Sequence, residues 1–582
     1  MRFWLFLIPL FLYTGCGTYY GAIPTNHIVM VNTEGHPVDP TGNTSCERTE
    51  DLLCNGAHNT LIEYPTLTDS DYRKSINDLL TNLQQGKVCG ATSKASYLKE
   101  MEAKGTPPKL LVFIHGGLNT QTESVQRAAE LCKSIAAAGY YPLFLNWQSA
   151  LSPSYWNHLV HIRQGEDWRG GALSTVGGYL TAPAQLFGDL TRALVRAPIA
   201  TFLQIRNDIE TVPPFRPMLS LWSSDLALAQ ETAYTALCQR LPIGQPSAAL
   251  NEYATILHKP DDRCPAHGIE EKHELAGLNL FLGVDTRENS EKNWAFTNYF
   301  LTLPTKLVSA PIIDAGGTSA WAIMLRSVSQ LFHNDGEPHV HNNLSHTHPD
   351  ATNDQSRGAL YFFFKELQQT VCEDPQKSPH KTGICPNTSE WEITLVGHST
   401  GAIIAHHILR EFEDLPIKNI VYMGAASSIR DYQETVFPYL MKRNKDSSGN
   451  QCWPLGPVER SQGATCVYHL MLHEAAESGE WIWDGIDPLP RGSLLIWLDN
   501  FLSHPLSKED RTLGRFTNFI TTVHHTPHEL RPFIHIHKFG VGEAVDAPKK
   551  HGDFSQKLKF WNSECWGKWP DRNECYSAED HY

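Results

Sequence analysis

Fifteen consecutive residues, Trp391 to Ala405, constrain this chain more than any other stretch. They read WEITLVGHSTGAIIA and join an apolar run, a Gly-x-Ser-x-Gly motif and a small-residue helix start without a gap. Ile393, Leu395 and Val396 ahead of Gly397 suit a buried strand, and Ala402, Ile403, Ile404 and Ala405 open an apolar helical face. A strand that becomes a helix within four residues must turn sharply at Ser399. Gly397 and Gly401 remove the side chains that would collide at such a turn. The hydroxyl of Ser399 is then presented above the end of a sheet. The same local pattern also fits a Gly-rich turn in which Ser399 only caps the helix.

Lys109 to Asn119, KLLVFIHGGLN, is the second informative stretch. Leu110 to Ile114 is a continuous apolar run, the signature of a strand covered on both faces in a parallel sheet. His115-Gly116-Gly117 follows at its carboxyl end, where open α/β sheets place their ligands. Gln121 to Ala138 reads as a helix and Tyr141 to Trp147 as the next strand, which is βαβ spacing. Roughly two hundred residues then pass before the strand ahead of Ser399 resumes the alternation, so an insertion is expected there.

With these two motifs the chain resembles the α/β-hydrolase superfamily of lipase- and esterase-like enzymes. Their nucleophile elbow is a strand, G-x-S-x-G and a helix, and an HGG loop serves their oxyanion hole. The resemblance implies an α/β fold, with a mostly parallel central sheet and a large, mainly helical cap inserted into it. Residues 106–150 and 390–560 would form the core and 151–389 the cap. Residues 17–105 read as an N-terminal embellishment, with a strand over Asn26 to Val31 and a helix over Asp71 to Leu83.

The resemblance makes Ser399 the nucleophile, with backbone amides of the loop Gly116-Gly117-Leu118 and of Thr400 holding the oxyanion. The family order of serine, acid and histidine puts the acid just past the strand Cys466 to Leu472. Glu474 sits there, with Glu477, Asp484 and Asp487 as competitors. The base belongs in a loop beyond the last strand, Phe533 to Phe539, which selects His551 in KKHGDF. His535 and His537 alternate within that strand and read as structural, and His524 and His525 precede it. The implied chemistry is acyl transfer: His551 takes the Ser399 proton, the acid orients the imidazole, and water deacylates the enzyme. It needs no cofactor and no metal. The histidines at 333, 339, 341, 346 and 348 lack carboxylate or thiolate partners at fixed spacing and read as a solvated loop.

Elsewhere the chain points to export. MRFWLFLIPLFLYTGCG joins Arg2 to an apolar run and then to small residues, a secretory signal too short to span a bilayer. Its end, Tyr13-Thr14-Gly15-Cys16, resembles a bacterial lipobox, with Tyr13 where Leu is usual. That resemblance makes Cys16 a lipidation site and residues 1–16 a leader; plain cleavage to a secreted protein is the alternative. Apart from Cys16 the 13 cysteines leave an even number. Neighbours Cys46 and Cys54, Cys372 and Cys385, Cys452 and Cys466, and Cys565 and Cys575 suit short disulfide loops, with Cys89–Cys132 and Cys238–Cys264 completing a set. The Cys565–Cys575 loop lies in the tail, 561–582.

The net charge of −15 opposes nucleic-acid binding. The expected partners are a small-molecule or lipid ester and a membrane surface reached through the lipid anchor. The run from Ala172 to Gln204, with Leu186, Phe187, Leu190, Leu194 and Phe202 and with Arg192, Arg196 and Arg206 near them, reads as an amphipathic cap. A carboxylic ester with an acyl chain is the substrate this suggests. A thioesterase, a serine peptidase or a non-catalytic envelope binding protein on the same fold would share the motifs.

Overall fold

The computed structural model describes residues 24–41, 64–89, 97–103, 107–117, 119–149, 151–160, 172–211, 291–333, 357–372, 391–445, 464–480, 489–521, 525–539, 547–566 and 575–576, with short pieces at 105, 162–163, 166–167 and 279–281. The chain divides into two compact units. The first holds residues 1–192, 315–393 and 411–416, and the second 193–314, 394–410 and 417–582.

The strands are β1 (Ile28–Val31), β2 (Lys109–Ile114), β3 (Tyr141–Trp147), β4 (Ile162–Arg163), β5 (Glu166–Asp167), β6 (Asn279–Phe281), β7 (Glu392–His398), β8 (Ile417–Met423), β9 (Cys466–Leu472) and β10 (Ile534–Phe539). β4 and β5 form an antiparallel hairpin. The other eight form one sheet in the order β1-β3-β2-β7-β8-β9-β10-β6. β1 with β3, β2 with β3, β8 with β9, β9 with β10, and β10 with β6 are all parallel. Long apolar runs such as Leu110–Ile114 are what parallel strands covered on both faces require, and the chain is α/β as its patterning predicts. Both sheet edges depart from the sequence reading. The N-terminal segment contributes β1 and the inserted region contributes β6, so neither is wholly outside the sheet.

In the first unit the helix Gln121–Ala137 follows β2. It begins with a capping box in which the Thr120 side chain accepts from Glu123 N–H and the Glu123 carboxylate accepts from Thr120 N–H, satisfying two otherwise orphaned amides. Its buried face, with Val125, Ala128, Cys132 and Ile135, has the helical period of three to four. Cys132 is bonded to Cys89 with Cα atoms 5.9 Å apart. The helix Asp69–Gln84 is tied to the helix Ala359–Cys372 where the Tyr72 hydroxyl donates to the Ala359 carbonyl at 2.8 Å.

In the second unit β9 and β10 are buried along their whole length. The helices Gly401–Glu411 and Ile429–Arg443 follow β7 and β8. The Cys565–Cys575 disulfide, Cα atoms 5.5 Å apart, closes the tail loop as expected. Cys372, in the first unit, and Cys466, in the second, each take part in a further disulfide. Two helices of 40 residues each, Ala172–Thr211 and Glu291–Gln330, come from the inserted region. Among the described residues no helix is long and apolar enough to cross a membrane.

Candidate active site

Ser399 sits at the carboxyl end of β7, in the strand-to-helix turn anticipated from its sequence. Its φ is +52°, in the left-handed region, which costs a residue bearing a Cβ about 1–2 kcal/mol. Such strain persists only where the surroundings enforce it. Here the Ser399 N–H donates to the Met423 carbonyl at 2.9 Å and the Ser399 carbonyl accepts from Ala426 N–H at 3.0 Å, so the end of β8 holds the turn from both sides. Gly397 eases the turn: a Cβ there would lie 3.0 Å from Ala402 N and Cα at the helix start, so the backbone would have to give way. The Ser399 Oγ is fully buried and makes no hydrogen bond. Buried hydroxyls are nearly always paired.

His551 lies in the same unit and reaches the same turn. Its imidazole rests on Gly424, the residue between Met423 and Ala425. A Cβ on Gly424, whose φ is +50°, would fall 2.8 Å from His551 Cε1 and 2.9 Å from Nδ1. His398, the residue before Ser399, donates from Nε2 to the His551 carbonyl at 3.2 Å, and its ring stacks on the His551 ring with centroids 5.3 Å apart. The His551 Nε2 is buried and makes no hydrogen bond. Burial, and secondarily His398, lowers the His551 pKa to about 3. The ring is therefore neutral at pH 7, the state in which an imidazole can accept a proton.

The acids divide differently from the sequence expectation. Glu474 begins a short helix after β9. Its Oε2 is 2.7 Å from Lys538 Nζ on β10 and 3.4 Å from His473 Nδ1. Burial favours its neutral form, but Lys538 and His473 outweigh this and hold the carboxyl well below the usual range. Glu477 is buried, 3.7 Å from Arg515 Nε and hydrogen-bonded to the Ser493 hydroxyl. Among the described residues Glu480 contacts the backbone of His551: its Oε2 accepts from His551 N–H at 3.0 Å. Burial, opposed by that hydrogen bond, raises the Glu480 pKa to about 7. Asp484 and Asp487 lie outside the described residues. The sequence does not single out Glu480, one of several acids close together after β9 that linear order alone cannot rank.

His535 and His537 are buried in β10 with their rings stacked on Tyr468 and Phe539, as structural histidines. His525 is described, whereas His524 is not.

In the first unit the loop after β2 is held by its own side chains and by groups at the end of β3. His115 Nε2 accepts from Trp147 N–H at 3.1 Å, leaving Nδ1 to donate to the Gly116 carbonyl at 2.9 Å. Ser149 Oγ and Asn119 Nδ2 also donate to that carbonyl, at 2.9 and 3.2 Å. A trans peptide points its C=O and the next N–H in opposite directions, so fixing the Gly116 carbonyl fixes the Gly117 amide facing away from these donors. Leu118 and Cys16 lie outside the described residues, as do the histidines at 339, 341, 346 and 348. Thr400 is buried beside Ser399.

His27 has its side chain beside Cys89 and Cys132. Those sulfurs are bonded to each other, so the group is a disulfide with an adjacent imidazole. Comparison with models of protein families, with curated protein sequences and with solved structures finds no match to this chain.

Proposed function

We propose that this protein is a serine hydrolase of the α/β-hydrolase type that cleaves carboxylic esters through an acyl-enzyme. The observation that carries the reading is the Ser399 hydroxyl, on a backbone at φ +52°, fully buried and without a hydrogen bond, together with the neutral His551 ring laid on Gly424, whose Nε2 is also buried without a hydrogen bond. A hydroxyl used as a cap or as core polarity would be paired.

In this mechanism His551 accepts the Ser399 proton as Oγ attacks the carbonyl carbon, and the tetrahedral oxyanion is met by the Thr400 amide, with the Gly117 amide as the second donor that the sequence resemblance assigns. The protonated imidazole then gives its proton to the leaving alkoxide, and a water molecule repeats the cycle on the acyl-enzyme. We assign the supporting carboxylate to Glu480 in place of Glu474. Its bond to the His551 amide supports the loop that carries the base, while the Glu474 carboxylate is engaged by Lys538. The order Ser399, Glu480, His551 along the chain is the order of this fold's triads. Export, the Cys16 anchor and an acyl-ester substrate belong to the same proposal.

A fluorophosphonate probe is the test. Wild-type protein should be labelled and should hydrolyse short acyl esters; Ser399→Ala should do neither. Equal labelling or turnover by Ser399→Ala would sink the proposal. In the same assay Glu480→Gln should slow turnover more than Glu474→Gln does among folded variants, and the reverse order would return the acid to Glu474.

A further inference from the structure

Facing stretches of the two long helices from the inserted region are amphipathic with their polarity reversed. Within the second unit, Leu194, Val195 and Phe202 on the helix Ala172–Thr211 are 70, 74 and 63% exposed, and Ile199 and Ile205 are exposed beside them. At about 100° per residue these five share one side of the helix. The opposite side holds Arg196, Gln204 and Asn207, with Asp208 at its edge. It is turned inward, and Gln204, Asn207 and Asp208 are completely buried.

The helix Glu291–Gln330 repeats the pattern over its stretch from Leu301 to Asp314: Leu301 and Val308 are 71 and 60% exposed while Thr302, Lys306, Ser309 and Asp314 are buried. Polar contacts join the two buried faces. Arg196 Nε lies 2.7 Å from Asp314 Oδ2, and Lys306 Nζ 3.8 Å from Asp208 Oδ1. Gln204 Nε2 donates to Asp208 Oδ1 at 2.9 Å, Asn207 Nδ2 to the Arg491 carbonyl at 2.9 Å, and Asn500 Nδ2 to Asn207 Oδ1 at 3.0 Å.

A helix facing water on its outer side is built the other way round, because exposing apolar side chains while burying amides and charges costs free energy at both faces. Polar side chains turned inward and joined to one another, with apolar side chains outside, is the arrangement that a hydrocarbon surrounding selects. From Gly177 to Asp208 the charges not buried on the helix are Arg192, Arg196 and Arg206, and Arg196 is committed to Asp314. Arg192 and Arg206 lie on the same flank of the apolar stripe, and both acids on this stretch, Asp189 and Asp208, are buried. In a chain of net charge −15, that flank is selectively cationic.

We infer that this helix pair is a monotopic membrane-binding surface. It lies in the plane of an anionic bilayer with the Leu194–Phe202 stripe among the acyl chains and Arg192 and Arg206 at the phosphates. The cationic flank favours lipid over a second copy of the chain, since a symmetric pairing of this face would bring the same arginines together.

The test uses the full chain carrying Cys16→Ala, so that no lipid anchor contributes, and sedimentation with vesicles. Mixed phosphatidylglycerol–phosphatidylcholine vesicles should pull the protein down, and pure phosphatidylcholine should do so weakly. Leu194→Ser with Phe202→Ser should fold with an unchanged near-UV spectrum and lose at least about tenfold in partitioning, the scale expected when a large apolar side chain no longer leaves water. Arg192→Glu with Arg206→Glu should remove the preference for the anionic vesicles. Ser399→Ala should bind as well as its parent, which keeps this test separate from the catalytic one. Absence of binding to either vesicle overturns the inference. So does unfolding of the Leu194/Phe202 variant, which would make those side chains core. A concentration-dependent dimer that the same substitutions abolish, without vesicle binding, would assign the face to a second copy instead.

Discussion

At the scale of single residues, the site turns on Gly424. Its φ of +50° and the 2.8 Å that would separate an added Cβ from His551 Cε1 leave no room for a larger residue while the imidazole stays where it is. The left-handed backbone costs a residue with a Cβ about 1–2 kcal/mol, whereas the ring can swing aside. We therefore expect Gly424→Ala to fold with a modestly lowered Tm yet lose tenfold or more in ester turnover, because a base displaced by an ångström no longer reaches the serine. Turnover that falls only in step with stability would show that His551 does not act from this position. Ser399 and His551 were legible in the sequence: one has a motif with a steric reason for each glycine, the other a position after the last strand. Gly424 and His398 were not, since a glycine after an apolar strand and a histidine before a serine acquire meaning only once the loop from the far end of the chain is laid on them.

Among elements, the helix Gly401–Glu411 that follows Ser399 is fixed by a part-buried charge cluster. Asp431, on the helix Ile429–Arg443, accepts from His406 Nδ1 and from Arg410 Nη2, the latter at 2.6 Å, and Arg410 also donates to the Thr435 hydroxyl at 2.6 Å. Burial favours the neutral Asp431 carboxyl, but His406 and Arg410 more than offset it and hold the group far below the usual carboxylate range. A depressed carboxyl pKa contributes stability above the unfolded value of about 4 and loses it as pH falls toward the folded one. Asp431→Asn should therefore be less stable by about 2 kcal/mol at pH 7, less than the cost of breaking a fully buried pair because Asp431 and Arg410 are partly exposed. Urea titrations at several pH values should show that gap closing below about pH 4. A gap independent of pH would mean that the carboxylate charge is not what Asp431 contributes.

The helices also mark the limit of what patterning conveys. Periodicity predicts which residues of Ala172–Thr211 share a face, but the choice of face turned inward depends on Arg491, Asn500 and Asp314, far away in sequence. The stripe that reads as needing a partner is the one left outside.

Across the whole molecule, histidine sets how the protein meets acid. The chain has 28, and burial lowers the pKa of His27, His115 and His537 to about 4 and of His469 and His551 to about 3. The first two lie in one compact unit and the other three in the second, so each unit carries the liability. All five are neutral in the folded chain at pH 5, where unfolded histidines, with pKa near 6.5, are mostly protonated. Unfolding then takes up protons. For a histidine whose folded pKa is depressed, stability is fully present above the unfolded value and is lost as pH falls toward the folded one, by about 1.4 kcal/mol per pH unit for each proton taken up. Several such groups acting together outweigh any single ion pair described above. The urea midpoint should accordingly fall steadily from about pH 7 to pH 5, before most carboxylates begin to titrate. His537→Phe, which keeps a ring to stack on Phe539 but cannot be protonated, should flatten the slope by roughly one proton. A midpoint that stays level over that interval would show that these imidazoles are charged, or accessible, in the folded protein, and would remove the neutral base on which the proposed proton transfer from Ser399 depends.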